Sequence, residues 1–180
     1  MEQAIKYASF GGREEMLAFR LDKRDGPTAL LTQGANPGLA SMFVKMALTE
    51  MARQLSIKVI HIAERDTQTT SRRKARGEFV NTWSVDGFAG EGLQPSELGW
   101  GSHERHWPDD AERHGYGCDA AIYLQRPGIA TRVRSWTPLE GPYQGFLVTH
   151  GESISIADHL TLREEGRVTC RPTVHSHHAR

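Results

Sequence analysis

The chain has 180 residues, enough to bury one sizeable core, and its 22 basic and 22 acidic residues cancel. That balance argues against a general nucleic-acid binder, which carries a basic excess, and no apolar run approaches the roughly 20 residues of a membrane span. A hydrophobic content of 38% with 24% charged residues is a soluble globular profile; the start has no charged-then-apolar signal pattern, and Cys118 and Cys170, in no metal or redox spacing, read as reduced thiols of a cytoplasmic protein.

In chain order, residues 13–23 alternate charge and apolar groups as a helix does, and Asp25-Gly26-Pro27 ends it. Residues 28–32 (TALLT) form a short strand candidate. After the loop Gln33 to Gly38, Leu39, Met42, Phe43, Met46, Ala47 and Met51 recur at i, i+3, i+4, i+7 and i+8, which predicts a helix over 39–55. Pro37 sits at or near its first turn, where a missing N–H costs nothing. A glycine-bearing loop before a helix aims free N–H groups at whatever lies above it, although such a turn also occurs with no ligand.

Residues 58–63 (KVIHIA) predict a strand with Glu64 at its C-terminal end, and His61 reads as an ordinary strand residue. SRRKARG (71–77) is a solvated basic loop, and 78–83 a third strand. The glycine-rich segment to Gly101 is expected to be a loop, or a loop with short helical turns such as Pro95-Ser96-Glu97-Leu98. Residues 103–114 are charged and loop-like. AIYL and ATRVRSW are strand candidates joined by a hairpin turn at Gln125 to Gly128. GFLVT (145–149), 153–162 and 168–174 are read as strands, with a turn at Glu164-Glu165-Gly166; HSHHAR is too short to read. The expected fold class is α+β, a mixed, largely antiparallel sheet with a few helices packed on it.

Three constellations carry possible chemistry. Gly115-Tyr116-Gly117-Cys118-Asp119-Ala120 fits a dinucleotide fingerprint on paper, but it precedes a strand where a strand–loop–helix order is required. His103-Glu104-Arg105-His106 has two histidines in a loop with no obvious third metal ligand. The third is a set drawn from strand ends and the loops after strands: Glu64, Trp83, Glu91 and His150. Trp83, Asp86, Glu91, Glu97 and Trp100 lie among glycines, and aromatic faces beside carboxylates suit an organic cation. A histidine at a strand's end can move protons near neutral pH. A purely structural role for these four remains open at this point.

The segments GANPGLAS, HIAERDTQ, EFVNTWSVDGFAGEGLQPSELGWGSHE, GPYQGFLVTHGESISIADHLT and RPTVH together resemble the bacterial homospermidine synthases, relatives of the saccharopine dehydrogenase-like proteins. The resemblance runs over most of residues 28–175. It implies a saccharopine dehydrogenase C-terminal-like substrate domain and an NAD-dependent aminobutyl transfer. Two putrescines condense to homospermidine with loss of ammonia, by hydride abstraction, imine exchange and hydride return; spermidine is a second candidate donor.

The same resemblance assigns His150, Glu91 and Glu64 to catalysis, and Trp83, Glu91 and Glu64 to the diamine. It sets Asn36, Pro37 and Gly38 against the nicotinamide. It also implies a homodimer. The expected layout is a helical lead-in over 1–27 and a substrate-binding, catalytic domain over 28–180, cut at its C-terminus, with no NAD-binding Rossmann domain and so with little activity alone. Two other classes stand beside it: a metal-dependent hydrolase using HERH or His150 with Glu152, and a non-catalytic dimerisation remnant.

Overall fold

The computed structural model describes residues 12–22, 38–51, 57–65, 69–78 and 85–179. The expected turn at 25–27, the strands over 28–32 and 78–83 (with Trp83), Asn36, Pro37 and the helix end at 52–55 lie outside the described residues, apart from Glu78.

Among the described residues, the four helices α1 (Gly12–Asp22), α2 (Leu39–Met51), α3 (Val85–Leu93) and α4 (Gly151–His159) accompany nine strands. The strands are β1 (Val59–Glu64), β2 (Pro95–Gly99), β3 (Ala111–Arg113), β4 (Ala121–Pro127), β5 (Arg132–Thr137), β6 (Gly141–Leu147), β7 (Leu162–Glu164), β8 (Arg167–Cys170) and β9 (Thr173–Ala179). Seven of them make one sheet in the order β3-β4-β2-β9-β6-β5, with β1 also on β9, while β7 and β8 form a separate hairpin. The β1–β9 pair is parallel and the other pairs in the sheet are antiparallel. The fold is therefore α+β with a mixed, largely antiparallel sheet, as the sequence predicts.

β9 is the organising strand. β1 runs beside it from Val59↔Thr173 to Glu64↔His178, and its other side meets β2 at Gly99↔Val174 and β6 at Leu147↔His177. Side chains alternate across a sheet. One face of β9 presents Val174, Ser176 and His178; the other presents His175 and His177. Val174 joins Ile156 and Ala157 of α4 in a buried cluster, with Val44, Ile60, Ile62 and Leu160 packed on it. α4 lies so close that a Cβ on Gly99 would sit 2.4 Å from Ala157 Cβ and 2.7 Å from Ser153 O. The glycine is needed there for contact, not for its dihedral freedom. A second cluster, Cys118, Ala120, Ala121 and Ile154, takes Leu17 of α1, and a third, around Leu98, Ile122, Leu124 and Leu147, takes Trp100 and Val133.

Four sequence-based expectations are corrected. Residues 153–162 are not a strand: α4 occupies Gly151–His159. The alternation of Ile154 and Ile156 is real, but Ser153 and Ala157, both fully buried, lie at helical spacing with Ile156 and Leu160. Small residues let the helix approach, and they carry little hydrophobic signal.

The glycine-rich segment is helix α3 followed by strand β2, so Pro95 to Leu98 are not a helical turn. Three glycines in one nine-residue helix each cost about 1 kcal/mol of propensity. Packing overrides it, because a Cβ on Gly92 would meet Ile129 Cγ2 at 2.8 Å. The supposed hairpin at 125–128 does not pair its flanking strands. β4 continues to Pro127, a 3-10 turn follows at Gly128–Ala130, and β5 pairs with β6 at the far edge. Finally, 168–174 falls in two strands, β8 and β9, and residues 175–179 of the HSHHAR tail continue β9.

The turn at Glu164 to Gly166 is present, with Glu165 at φ 49 and Gly166 at φ 79, the two left-handed residues that a tight hairpin of this hand requires. The basic loop 71–77 is exposed throughout.

Candidate active site

The parallel pair β1–β9 sets the site, because the C-terminal ends of both strands open on one edge, where ligands of α/β sheets gather. Glu64 ends β1, and His178 is its register partner on β9. His150 stands at the N-cap of α4 with extended backbone (φ −138, ψ 120) and makes no capping bond of its own. Glu91 comes from the buried side of α3. These four side chains converge. His150 Nε2 lies 3.8 Å from Glu64 Oε1, His178 Nδ1 3.7 Å from Glu64 Oε2, and His178 Nε2 3.8 Å from Glu91 Oε2. The Phe88 ring, one turn back on α3, is 5.7 Å from the His178 ring.

Behind His150 stands Glu152, 4% exposed. One of its oxygens pairs with His150 Nδ1, and the other accepts a 2.8 Å hydrogen bond from the backbone N–H of Gly38. Gly38 is buried, with φ 124, a region that favours glycine. Arg13 of α1 also borders this pair, since a Cβ on Gly151 would lie 2.9 Å from its Nε.

The electrostatics follow. Burial pulls the His150 pKa down, but the bonded Glu152, then Glu64 and Glu91, more than reverse it and hold it above the usual 6.5. Burial alone would raise Glu152; His150, the Gly38 N–H and Arg13 outweigh it and keep it below 4.5. Both shifts favour the ionic form of the pair. With Nδ1 turned to Glu152, Nε2 is the ring nitrogen of His150 that faces Glu64.

Of the residues singled out from sequence, Glu64, Glu91 and His150 are brought together, and Gly38 touches their support. Trp83, Asn36 and Pro37 lie outside the described residues. Glu152, named from sequence only in the hydrolase reading, is the partner of His150, and His178 was missed altogether. Elsewhere in the glycine-rich stretch, Asp86 is exposed, Glu97 is buried against His114 at 2.6 Å, and Trp100 stacks edge-on with Trp107 at 5.5 Å. His103 and His106 lie in the loop between β2 and β3, where Glu104 Oε1 accepts a bond from Thr173 and lies 3.3 Å from His103 Nε2.

Residues 34–179 match the family model described as the saccharopine dehydrogenase C-terminal domain. The chain belongs to that family. It is 51% identical to a homospermidine synthase of Blastochloris viridis over 93% of its length, and 48% identical to one of Mesorhizobium japonicum over 91%. A crystal structure of the homospermidine synthase of Legionella pneumophila in complex with NAD superposes with a TM-score of 0.82 at 47% identity, over 94% of this chain. The chain spans about two fifths of each of these proteins (40%, 38% and 41%). The sequence resemblance to homospermidine synthases and the fold expected from it are both upheld.

GYGCDA lies between the antiparallel strands β3 and β4, so it does not open a helix. Among the described residues no helix is long and apolar enough to cross a membrane.

Proposed function

We propose that the chain carries the diamine half of a homospermidine synthase site and works on putrescine in the cytoplasm. The observation that supports this most is the meeting of two carboxylates from separate elements, Glu64 and Glu91, around histidines at one sheet edge. A diamine is a dication at neutral pH, and each ammonium group needs an anionic acceptor. Charge-assisted hydrogen bonds to carboxylates contribute about 1.5–3 kcal/mol each. Trp83 adds an indole face for the same cation. Spermidine, which shares the aminobutyl end, is the second candidate donor.

An amine must lose a proton before the carbon bearing it can be oxidised. His150 Nε2, beside Glu64 and braced through Nδ1 by Glu152, is the group to accept that proton and return it. NAD, when bound, supplies hydride removal and return. Asn36, Pro37 and Gly38 would border the nicotinamide. Gly38 fits that place: it presents no side chain, and its N–H is already satisfied by Glu152. The described residues include no strand–glycine loop–helix cradle for the pyrophosphate. The reading therefore gives residues 28–180 the substrate and proton chemistry, and only one edge of the cofactor. It includes a homodimer, as a further part of the proposal.

The test is calorimetric titration of putrescine into the chain and into its Trp83→Ala variant. Binding by the first, weakened in the second, supports the site. A folded chain that binds no putrescine, or equal binding by both, would sink it.

A further inference from the structure

α1 lies outside the stretch to which the sequence assigns the substrate chemistry, yet one of its side chains borders the site. Two neighbours in its first turn take different partners. Glu14 is the anchor: it is 1% exposed, and its Oε2 accepts a 2.9 Å hydrogen bond from the Cys118 N–H. Leu17 packs on the Cys118, Ala120, Ala121 and Ile154 cluster. Those contacts dock the helix without Arg13. The Arg13 guanidinium packs instead on Gly151, the first residue of α4, where a Cβ would lie 2.9 Å from Nε, 3.3 Å from Nη2 and 3.5 Å from Cζ. Nε is buried and has no hydrogen-bond partner among the described residues. A cation desolvated in this way needs an opposite charge. Burial lowers the Arg13 pKa, and the charge of Glu152, next to Gly151 in the chain, works against that. Asp158, the other acid of α4, acts on Glu14.

Glu152 is itself buried, and burial is the largest influence on it, pushing its pKa up; His150, the Gly38 N–H and Arg13 push it back down. A base accepts a proton only while it is neutral. A neutral His150 ring no longer supports Glu152 by its charge, and the Gly38 N–H and Arg13 remain. We propose that Arg13 is a positioning residue of the site: packed on Gly151, its guanidinium is the fixed cation behind Glu152, so that this carboxylate keeps its hold on His150 Nδ1 through both protonation states of the ring. This role rests on the reading of His150 as the proton-exchanging group, and it brings α1, a lead-in by sequence, into the functional unit. The charged groups facing His150 are Glu152 of α4, Glu64 of β1 and Glu91 of α3. A cation beside an ion pair makes both members release their protons more readily. Its removal should therefore move both titrations to higher pH, Glu152 more than His150.

The experiment is an NMR pH titration of the whole 180-residue chain, in wild type, Arg13→Met and Arg13→Lys. The Gly38 amide, whose N–H is bonded to Glu152, follows the carboxylate, and the His150 ring signal follows the histidine. In Arg13→Met both midpoints should lie higher than in wild type, that of Gly38 by about one pH unit, the low end for loss of a nearby opposite charge. Arg13→Lys, which keeps the charge, should restore most of the shift. Unmoved midpoints in a folded Arg13→Met overturn the role of Arg13 and leave the diamine site standing. Equal shifts in both variants overturn it too, because they mark lost packing and not lost charge. Should Arg13→Met fail to fold, Gly151→Ala takes its place: the added methyl displaces the guanidinium, the same upward shift is expected, and its absence contradicts the proposal. These titrations need no ligand, so calorimetry of putrescine on the wild-type chain separates the two readings. Absence of binding there overturns the diamine reading, and with it the part of Arg13 in a proton-exchanging site, whatever the titrations show.

Discussion

His177 and His178 are chain neighbours on β9, yet their rings enter opposite faces of the sheet and opposite surroundings. On one face, His61, His175 and His177 gather, with ring centroids 4.2 Å apart for His61 and His175 and 5.2 Å for His175 and His177. Their company is neutral: Ser135 meets His177 Nε2 at 2.6 Å and Tyr143 stacks nearby. Burial first, then repulsion from His61 and His177, pushes His175 down to about 3; burial first, then repulsion from His61 and His178, pushes His177 down to about 4, and burial lowers His61. On the other face, His150 and His178 stand among Glu64, Glu91 and Glu152, and His150 is held above its usual value. The same side chain is thus shifted toward its neutral form on one face, while on the other His150 is shifted toward its charged form. Carboxylate placement makes the difference, and only the face that has it suits a cation.

The largest expected effect is on the support of the acidic end. Glu152→Ala strips His150 of its ion pair and Gly38 of its N–H acceptor, and breaking such a buried pair costs about 3–5 kcal/mol. Urea unfolding measures it. Glu152→Gln, which can still accept from Gly38, should cost less while bringing the His150 titration down. Next is Glu91→Gln, which should weaken putrescine at least about tenfold, the equivalent of one charge-assisted bond, with little change in the urea midpoint. An equal loss of stability would mean that Glu91 serves the fold and not the ligand.

The pH dependence of stability separates the two faces more gently. For His61, His175 and His177 the folded-state pKa is depressed, so the unfolded chain takes up protons first. Their contribution is complete above about pH 6.5 and is lost as pH falls toward the values of about 4 and 3 for His177 and His175. The His150–Glu152 pair behaves otherwise. The raised His150 stabilises fully below 6.5 and loses that as pH rises through its folded value; the lowered Glu152 stabilises above 4.5 and loses that as pH falls through its own. Between pH 6.5 and 4.5, then, the cluster weakens and the pair holds. His175→Gln should flatten the stability curve in that interval, as thermal melts at a series of pH values would show. The smallest effect comes from giving the neutral face a carboxylate. His61→Glu, at an exposed position, should change stability by about 0.5 kcal/mol or less, yet raise the His175 titration measurably.

How much of this was legible in the sequence depends on which physical signal each part leaves. α2 and β1 announce themselves through apolar periodicity, and the strand-end position of Glu64 follows from β1 alone. α4 does not, because its buried stripe is built from Ser153 and Ala157, whose value lies in their smallness against Gly99. α3 does not either, because glycine reads as loop until its packing on the 3-10 turn is seen. Glu91 and His150 were found as residue types near glycines and strand ends, but their meeting is a product of sheet order, which no local pattern encodes. His178 left no signal at all. A short terminal tail has no period to read, and its place in the middle of the sheet depends on β1, β2 and β6 closing around it.

Histidine ring NMR across a pH titration addresses the contrast between the two faces most directly, since every group is read in one sample. His150 should titrate above 6.5, while His175 and His177 stay neutral until about pH 4 and below. All three titrating together near 6.5, or His150 titrating below the other two, would contradict a cation site made by carboxylates on one face of β9.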